Sequence, residues 1–219
     1  YFKEGMIDPN KKQELPIRPS EVCYQAFSLM KGKQLEEAER LLTGNLAKTE
    51  DKTATALYHS ALGVLYKMKK DFKEAWRHYQ RAEKLIPNDP ALKIIVARLL
   101  IEQFAQYDQA IRRAKQVLKI LPGNPVFVHQ AFTTIGLAQA GQQRKKEAVE
   151  ALAKSIVEDF EGFITAKNID FHLVEACLRH DWGENICYQF ISKALAFAKK
   201  KNEKTFVAAF EKMLRAFEA

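Results

Sequence analysis

The chain has 219 residues, of which 47% are hydrophobic and 28% are charged, as is typical of globular proteins. It has only 9 Gly and 7 Pro, which is few for a fold of strands and tight turns, and helix-forming residues dominate. The formal net charge of +8 favours acidic partners, and no apolar run reaches the roughly 18 residues that a membrane-spanning helix needs.

The N-terminal stretch, residues 1–18, contains Gly5, Pro9 and Pro16 and has no apolar period. We therefore expect an extended arm or linker there. The chain begins with Tyr1 rather than Met, so an interaction module of a larger regulatory protein with an upstream domain is one interpretation.

The middle of the chain is repetitive. Glu-Ala or Gln-Ala pairs that follow a short polar turn recur at spacings of 37, 35 and 38 residues, with their alanines at Ala38, Ala75, Ala110 and Ala148. A small residue lies 12 residues upstream of three of them and 13 upstream of Ala110, at Ala26, Gly63, Ala97 and Gly136. The longer gap predicts one extra residue in the turn of the third repeat.

The second repeat indicates what each unit is. Apolar residues from Leu57 to Tyr66 fall on one helical face, "KMKKD" interrupts them, and a second apolar face runs from Phe72 to Leu85. Pro87 ends the second helix, and Asp89 with Pro90 is a typical start for the next. Asn124 and Pro125 repeat this start signal one repeat later. Each unit is thus predicted to be a pair of amphipathic helices joined by a tight turn.

These residues resemble the tetratricopeptide repeat, whose period is about 34 residues. The resemblance covers residues 19–160 and is carried best by Leu62, Gly63, Tyr66, Ala75, Tyr79 and Pro87, while His59 stands where that family has Trp. It implies an all-α fold in which helical hairpins stack into a right-handed superhelix with four repeats. For residues 161–219 we expect a degenerate fifth repeat and a capping helix, with helices near 163–181, 184–200 and 203–218.

The resemblance also implies that the first helix of each repeat lines a concave groove. The side chains expected to face it are Cys23, Phe27, Met30, Leu57, Ser60, Val64, Met68, Ile94, Arg98, Ile101 and Leu137. This surface is largely apolar and contains adaptable methionines, which suits a peptide or amphipathic helix of a partner protein. The alternative is that neighbouring helices, or residues 203–218, cover these side chains.

Basic residues cluster in the turns within repeats. They are Lys31, Lys33, Lys67, Lys69, Lys70, Arg144, Lys145 and Lys146. Turns of successive repeats lie along one edge of a solenoid, so these residues are predicted to form a basic edge that could attract nucleic acid or an acidic protein surface. The alternative is that they are ordinary solvated residues, since acidic side chains are interleaved with them.

Catalytic motifs are missing from the sequence. It has no Gly-rich phosphate loop, His-Glu-x-x-His or nucleophile elbow, and the spacing of its histidines and cysteines fits no common zinc site. Three cysteines, an odd and low count, argue against a disulfide framework and suit a reducing compartment such as the cytoplasm. We therefore expect a scaffold or adaptor that needs no cofactor or metal and is not an enzyme.

Overall fold

The computed structural model describes residues 17–218, so the arm predicted at residues 1–18 lies outside the described residues except for its last two. This part of the chain has no strand and contains eleven α-helices. They are α1 (Pro19–Lys31), α2 (Leu35–Leu46), α3 (Lys52–Met68), α4 (Phe72–Leu85), α5 (Pro90–Phe104), α6 (Tyr107–Ile120), α7 (Pro125–Gly141), α8 (Lys145–Ser155), α9 (His172–Arg179), α10 (Glu184–Lys200) and α11 (Lys204–Arg215). The predicted all-α class is confirmed.

The described residues divide into two compact units, unit 1 up to Leu85 and unit 2 from Ile86 onward. In unit 1, α1 pairs with α2 and α3 with α4, and α3 also packs against α1 and α2. The core between them is built from alanines and larger apolar side chains, chiefly Val22, Met30, Leu42, Leu62 and Leu65. These are the apolar faces that the period of the sequence predicts.

Unit 2 repeats the same pairing. Helix α5 pairs with α6, α7 with α8 and α9 with α10, while α7 packs against both α5 and α9. Helix α11 packs on α10, and its Phe210 stacks on Phe171 with ring centroids 4.7 Å apart. The last helix therefore covers the apolar face of the last hairpin, as a terminal cap does.

Small residues lie where neighbouring helices approach each other closely. Ala26 and Ala97 are fully buried, and Gly63 and Gly136 lie where a side chain would collide with a neighbour. A Cβ atom at Gly63 would lie 2.6 Å from Cδ1 of Tyr79, so the ring of Tyr79 rests directly on the α3 backbone. A Cβ atom at Gly136 would overlap Leu173. Close helix approach thus explains the small positions of the repeat.

The helix starts also follow the sequence. The Asp89 carboxylate accepts a hydrogen bond from the Leu92 amide at 2.7 Å, and the Asn124 side chain accepts one from the Phe127 amide at 3.1 Å. Such N-caps satisfy amides that have no partner inside the helix. Asp51 caps α3 in the same way, with the Ala54 amide 2.7 Å from its carboxylate.

The extra residue of the third repeat lies at the end of α5 and not in the turn, where it was predicted, because that turn is one residue shorter than the others. In the first, second and fourth turns, the amide after a left-handed residue donates to a carbonyl five residues earlier, as Asp71 does to Tyr66 at 2.9 Å. In the third turn, the Gln106 amide donates to Leu100, six residues earlier. The insertion therefore widens the last turn of α5.

The sequence predicted a helix over residues 163–181, but α9 begins only at His172, and residues 157–171 form no α-helix. The 3₁₀ turns Val157–Phe160 and Ala166–Asn168 precede it, and Glu158, Asp159 and Phe160 all have positive φ. Phe160 is buried and packs edge-on against Phe163 and Phe190. These tertiary contacts hold a backbone conformation that local preference disfavours.

A histidine pair joins α3 to α4. The Nδ1 atoms of His59 and His78 are 2.9 Å apart, and Tyr66 stacks on His78 with centroids 5.3 Å apart. Burial, with a smaller effect of His78 and Arg81, lowers the pKa of His59 to about 4, and burial also lowers the pKa of His78. Two neutral rings share one hydrogen at this contact, whereas protonation of both rings would set two donors against each other.

Gly63→Ala is expected to lower the free energy of unfolding of unit 1 by about 1 to 3 kcal/mol, because the new methyl group overlaps the Tyr79 ring. Gly44→Ala is the matched control: nothing lies within 4 Å of its Cβ position in α2, so it should raise stability by about 0.5 to 1 kcal/mol. Urea unfolding followed by fluorescence of Trp76, the only tryptophan left in a Trp182→Phe background, measures both. Equal effects of the two substitutions would contradict the packing argument.

Acid is expected to destabilise unit 1. Because the folded-state pKa values of His59 and His78 lie below the unfolded value of 6.5, unfolding takes up protons and stability falls between pH 6.5 and about 4. The loss should be roughly 1 to 3 kcal/mol and is measured with the same Trp76 signal. His59→Gln keeps a hydrogen-bonding side chain without the titration, so its profile over this range should be flatter.

Candidate functional site

An apolar groove lies between α1 and α3 of unit 1. Its volume is about 440 Å³, and it is lined by Tyr24, Phe27, Ser28, Met30, Lys31, Val64 and Met68. The residues from α1 are spaced by one helical turn or less, and Val64 and Met68 are one turn apart on α3. The groove therefore follows the two helix axes instead of forming a closed hole.

Three large apolar side chains of the groove are exposed to solvent. Tyr24 is 75% exposed, Met68 46% and Phe27 38%. Exposed apolar side chains scattered singly are ordinary, but a group of them around one groove is typical of binding surfaces. Burying such side chains against a partner releases about 25 cal/mol for each Å² of apolar surface.

The two sides of the groove differ in polarity. On α1, the hydroxyl groups of Tyr24 and Ser28 and the ammonium group of Lys31 are spaced at four and three residues, so they share one side of the helix. The side formed by α3 contributes only Val64 and Met68. The groove thus offers an apolar floor with hydrogen-bond donors along one side.

The residues predicted for this groove fall in two groups. Phe27, Met30, Val64 and Met68 line it. The others, Cys23, Leu57 and Ser60, do not: the buried Cys23 thiol points to the Leu57 carbonyl oxygen at 3.9 Å, and the Ser60 hydroxyl donates to Ala56 of its own helix at 2.9 Å. Leu57 is nevertheless 38% exposed and extends the apolar face of α3.

The prediction missed Tyr24 and Ser28. Their spacing from Lys31 follows the helical period, so the signal was present in the sequence. Which edge of α1 stays open depends, however, on where α3 packs, and the period alone does not supply that.

In unit 2, the predicted groove residues make more internal contacts than those of unit 1. Ile94 belongs to the core, and Leu137 packs against it. The Arg98 guanidinium lies 2.7 Å from an Asp170 carboxylate oxygen and 3.4 Å from Glu102. Arg98 therefore fastens α5 to the segment before α9, and Ile101 on the same helix is half-buried.

His129 supports that segment from inside unit 2. It is fully buried, its Nδ1 lies 2.8 Å from the Ser155 carbonyl oxygen, and its Nε2 accepts the Asp170 amide at 2.8 Å. Burial lowers the pKa of His129, which keeps the ring neutral and lets one nitrogen donate while the other accepts. Arg98 also lowers the pKa of Asp170 against the opposing effect of burial.

The predicted basic edge is partly neutralised where the structure describes it. In unit 1, the Lys69 ammonium lies 2.5 Å from Glu39, whose pKa is lowered by hydrogen bonds from Lys69 and Tyr66. In unit 2, Arg144 lies 2.8 Å from Glu147. The remaining side chains, Lys31, Lys33, Lys70, Lys145 and Lys146, are exposed, and Lys67 is half-buried.

Metal ligands and membrane spans were searched over residues 17–218. No group of three His, Cys, Asp or Glu side chains there is close enough together to hold a metal ion. None of the helices in that range is both long enough and apolar enough to span a bilayer.

Comparison with known proteins shows a structural likeness without a close sequence relative. No protein-family model and no curated protein sequence matches the chain. MamA (residues 41 to the end) from Desulfovibrio magneticus RS-1 is 19% identical, with a TM-score of 0.58 over 83% of this chain and 96% of that one. PilF of Pseudomonas aeruginosa is 15% identical, with a TM-score of 0.62 over 91% of each chain.

Apo RapI is 18% identical, with a TM-score of 0.65, and the match covers 92% of this chain and 77% of RapI. These neighbours are all-helical proteins that contain tetratricopeptide repeats. At such low identity the likeness establishes the fold alone, and it agrees with the paired helices, small contact residues and N-caps described above. The chain has the tetratricopeptide-repeat-like fold.

Proposed function

We propose that this protein is a non-catalytic interaction module that holds an apolar segment of a partner protein in the groove between α1 and α3. The observation that carries the proposal is the exposure of Tyr24, Phe27 and Met68 around one apolar groove. Water contact with these side chains is unfavourable, and a partner segment would remove it.

The groove favours a partner that can adapt to an irregular surface. Met68, which is 46% exposed, has an unbranched, polarisable side chain that changes rotamer easily, so it repacks around different apolar groups, while Met30 supports the groove from the core. An amphipathic helix that inserts side chains one turn apart would match the spacing of Val64 and Met68. The groove thus suits a helix or a short peptide better than a flat protein surface.

Charge favours an acidic group on the partner. Lys31 is the charged residue among those lining the groove, and it stands beside the hydroxyl groups of Tyr24 and Ser28. A carboxylate next to the apolar anchors of the partner would accept a hydrogen bond from Lys31. Such a rim contact contributes more to orientation and association rate than to affinity.

Nucleic-acid binding along the basic edge has less support. Lys69 and Arg144, which are two of the predicted contacts, already lie in ion pairs with Glu39 and Glu147. Acidic residues also interleave with the lysines of unit 1, which weakens the local positive potential. For the protein as a whole we propose an adaptor role in the cytoplasm, because its three free cysteines suit a reducing compartment.

Met68→Asp and Val64→Asp should each weaken peptide binding by at least about tenfold, because they place an unpaired charge on the apolar floor. A library of displayed peptides is selected on the immobilised protein, and the strongest synthetic peptide is titrated by calorimetry. Peptides enriched in apolar residues with a neighbouring carboxylate are expected.

Ile164→Asp is the matched control, because Ile164 is 84% exposed and lies outside the groove. It should bind the selected peptide like the unmodified protein. Helical content by circular dichroism confirms that all three variants are folded. If Met68→Asp bound the peptide with unchanged affinity, the groove between α1 and α3 would not be the binding site.

A further inference from the structure

A surface loop of unit 2, residues 161–167, presents an isoleucine to solvent. Ile164 is 84% exposed, which is the largest exposed fraction of any large apolar side chain in residues 17–218. The loop belongs to the irregular segment before α9. Ile164 does not line the groove of unit 1, so binding of a partner in that groove does not account for its exposure.

The neighbours of Ile164 keep it in this exposed position. Phe163 is buried in the core, and a Cβ atom at Gly162 would overlap the ring of Pro125, so the loop backbone rests on the start of α7. On the other side, the Thr165 hydroxyl oxygen accepts a hydrogen bond from the Lys167 amide at 3.3 Å. The exposure of Ile164 is therefore built into the conformation of the loop.

The turn between α10 and α11, residues 199–204, lies against this loop. The Lys200 ammonium is 2.5 Å from a Glu161 carboxylate oxygen. The Glu203 carboxylate accepts a hydrogen bond from the Ala166 amide at 2.9 Å. The two contacts fasten the turn to the loop on both sides of Ile164.

Aromatic contacts bring Lys201 of the turn to the same place. Phe163, which precedes Ile164, meets Phe197 of α10 edge-on, with ring centroids 6.4 Å apart. The Lys201 ammonium lies over the Phe197 ring, 5.5 Å from its centroid. The basic turn and the exposed isoleucine therefore form one continuous surface.

Positive charge predominates on this surface. The loop and the turn together carry five lysines and two glutamates. Lys199 is paired with Glu211 and Lys200 with Glu161. Within residues 17–218, no ion pair involves the other three lysines, which are all exposed: Lys167, Lys201 and Lys204.

We propose that Ile164, Lys167, Lys201 and Lys204 form a docking surface for the anionic lipid headgroups of a membrane. The ammonium groups would contact the headgroup phosphates, and Ile164 would enter the interface between them. Lysines near a negatively charged membrane and a shallow apolar anchor reinforce each other, because one weak signal alone does not give stable attachment. The attachment would be peripheral.

The combination of charge with one apolar side chain favours lipid over other acidic partners. Nucleic acids are held largely through phosphate contacts, to which an exposed aliphatic side chain adds nothing. A specific protein interface needs about 1,000 Å² with a desolvated apolar core. Ile164 is, however, the only exposed large apolar side chain of the loop and the turn. A lipid interface accepts a single apolar anchor.

Cosedimentation of the full chain with lipid vesicles tests the proposal. Vesicles of phosphatidylglycerol and phosphatidylcholine in equal parts should bind at least about tenfold more tightly than vesicles of phosphatidylcholine alone. Binding should weaken steeply between about 0.05 and 0.5 M salt, because salt screens the lysines from the headgroups. Absence of binding to the anionic vesicles at the lower salt concentration would overturn the proposal.

Two double variants with the same change in net charge test the role of the lysines. Lys201→Glu with Lys204→Glu should weaken binding to the anionic vesicles by at least about tenfold. Lys145→Glu with Lys146→Glu reverses two exposed charges at the start of α8 and should weaken binding by less than about threefold. Equal losses would show that the net charge of the whole protein drives binding, and the assigned surface would be wrong.

Substitutions of Ile164 test the apolar anchor. Ile164→Ser should weaken binding to the anionic vesicles by about threefold or more, whereas Ile95→Ser, at a 38% exposed position on α5, should leave it unchanged. Ile164→Trp should bind more tightly, and its fluorescence should shift to shorter wavelength when vesicles are added. If Ile164→Ser bound with unchanged affinity, the contact would be purely electrostatic, as for a nucleic acid, and the lipid assignment would fail. Peptide binding in the groove is titrated separately, so either site can fail without the other.

Discussion

The contact of a small residue on one helix with a large side chain on a neighbouring helix sets the geometry of both units. In unit 1 the ring of Tyr79 lies against the backbone at Gly63, and in unit 2 Leu173 lies against Gly136. Such close approach leaves no room for water on that face of the helix. The opposite face is then free to differ, and in unit 1 it carries the exposed side chains of the groove.

Most of this geometry could be predicted from the sequence, because its signals are local. Proline and capping residues mark helix starts within a few positions, as Asp89 and Pro90 do for α5, and the small residues repeat at nearly constant spacing. The same period placed Val64 and Met68 on one face of α3. It also indicated an extra residue in the third repeat, but in the turn, whereas the structure places it in the last turn of α5.

What the sequence could not supply depends on contacts between distant residues. The left-handed backbone at Glu158, Asp159 and Phe160 is held by the packing of Phe160 in the aromatic core, so local conformational preferences of the sequence do not predict it. Arg98 meets Asp170 across 72 residues, so a residue predicted to line the groove instead links α5 to the segment before α9. The openness of Tyr24 likewise depends on how α3 covers α1, not on the character of α1 itself.

The bonds of His129 limit how such an array can grow. One side chain satisfies the carbonyl group of Ser155, at the end of α8, and the amide group of Asp170, in the irregular segment before α9. A gene duplication that inserted another hairpin after α8 would separate these two groups and leave each without its partner. Lengthening by copied hairpins is therefore disfavoured at the junction after α8.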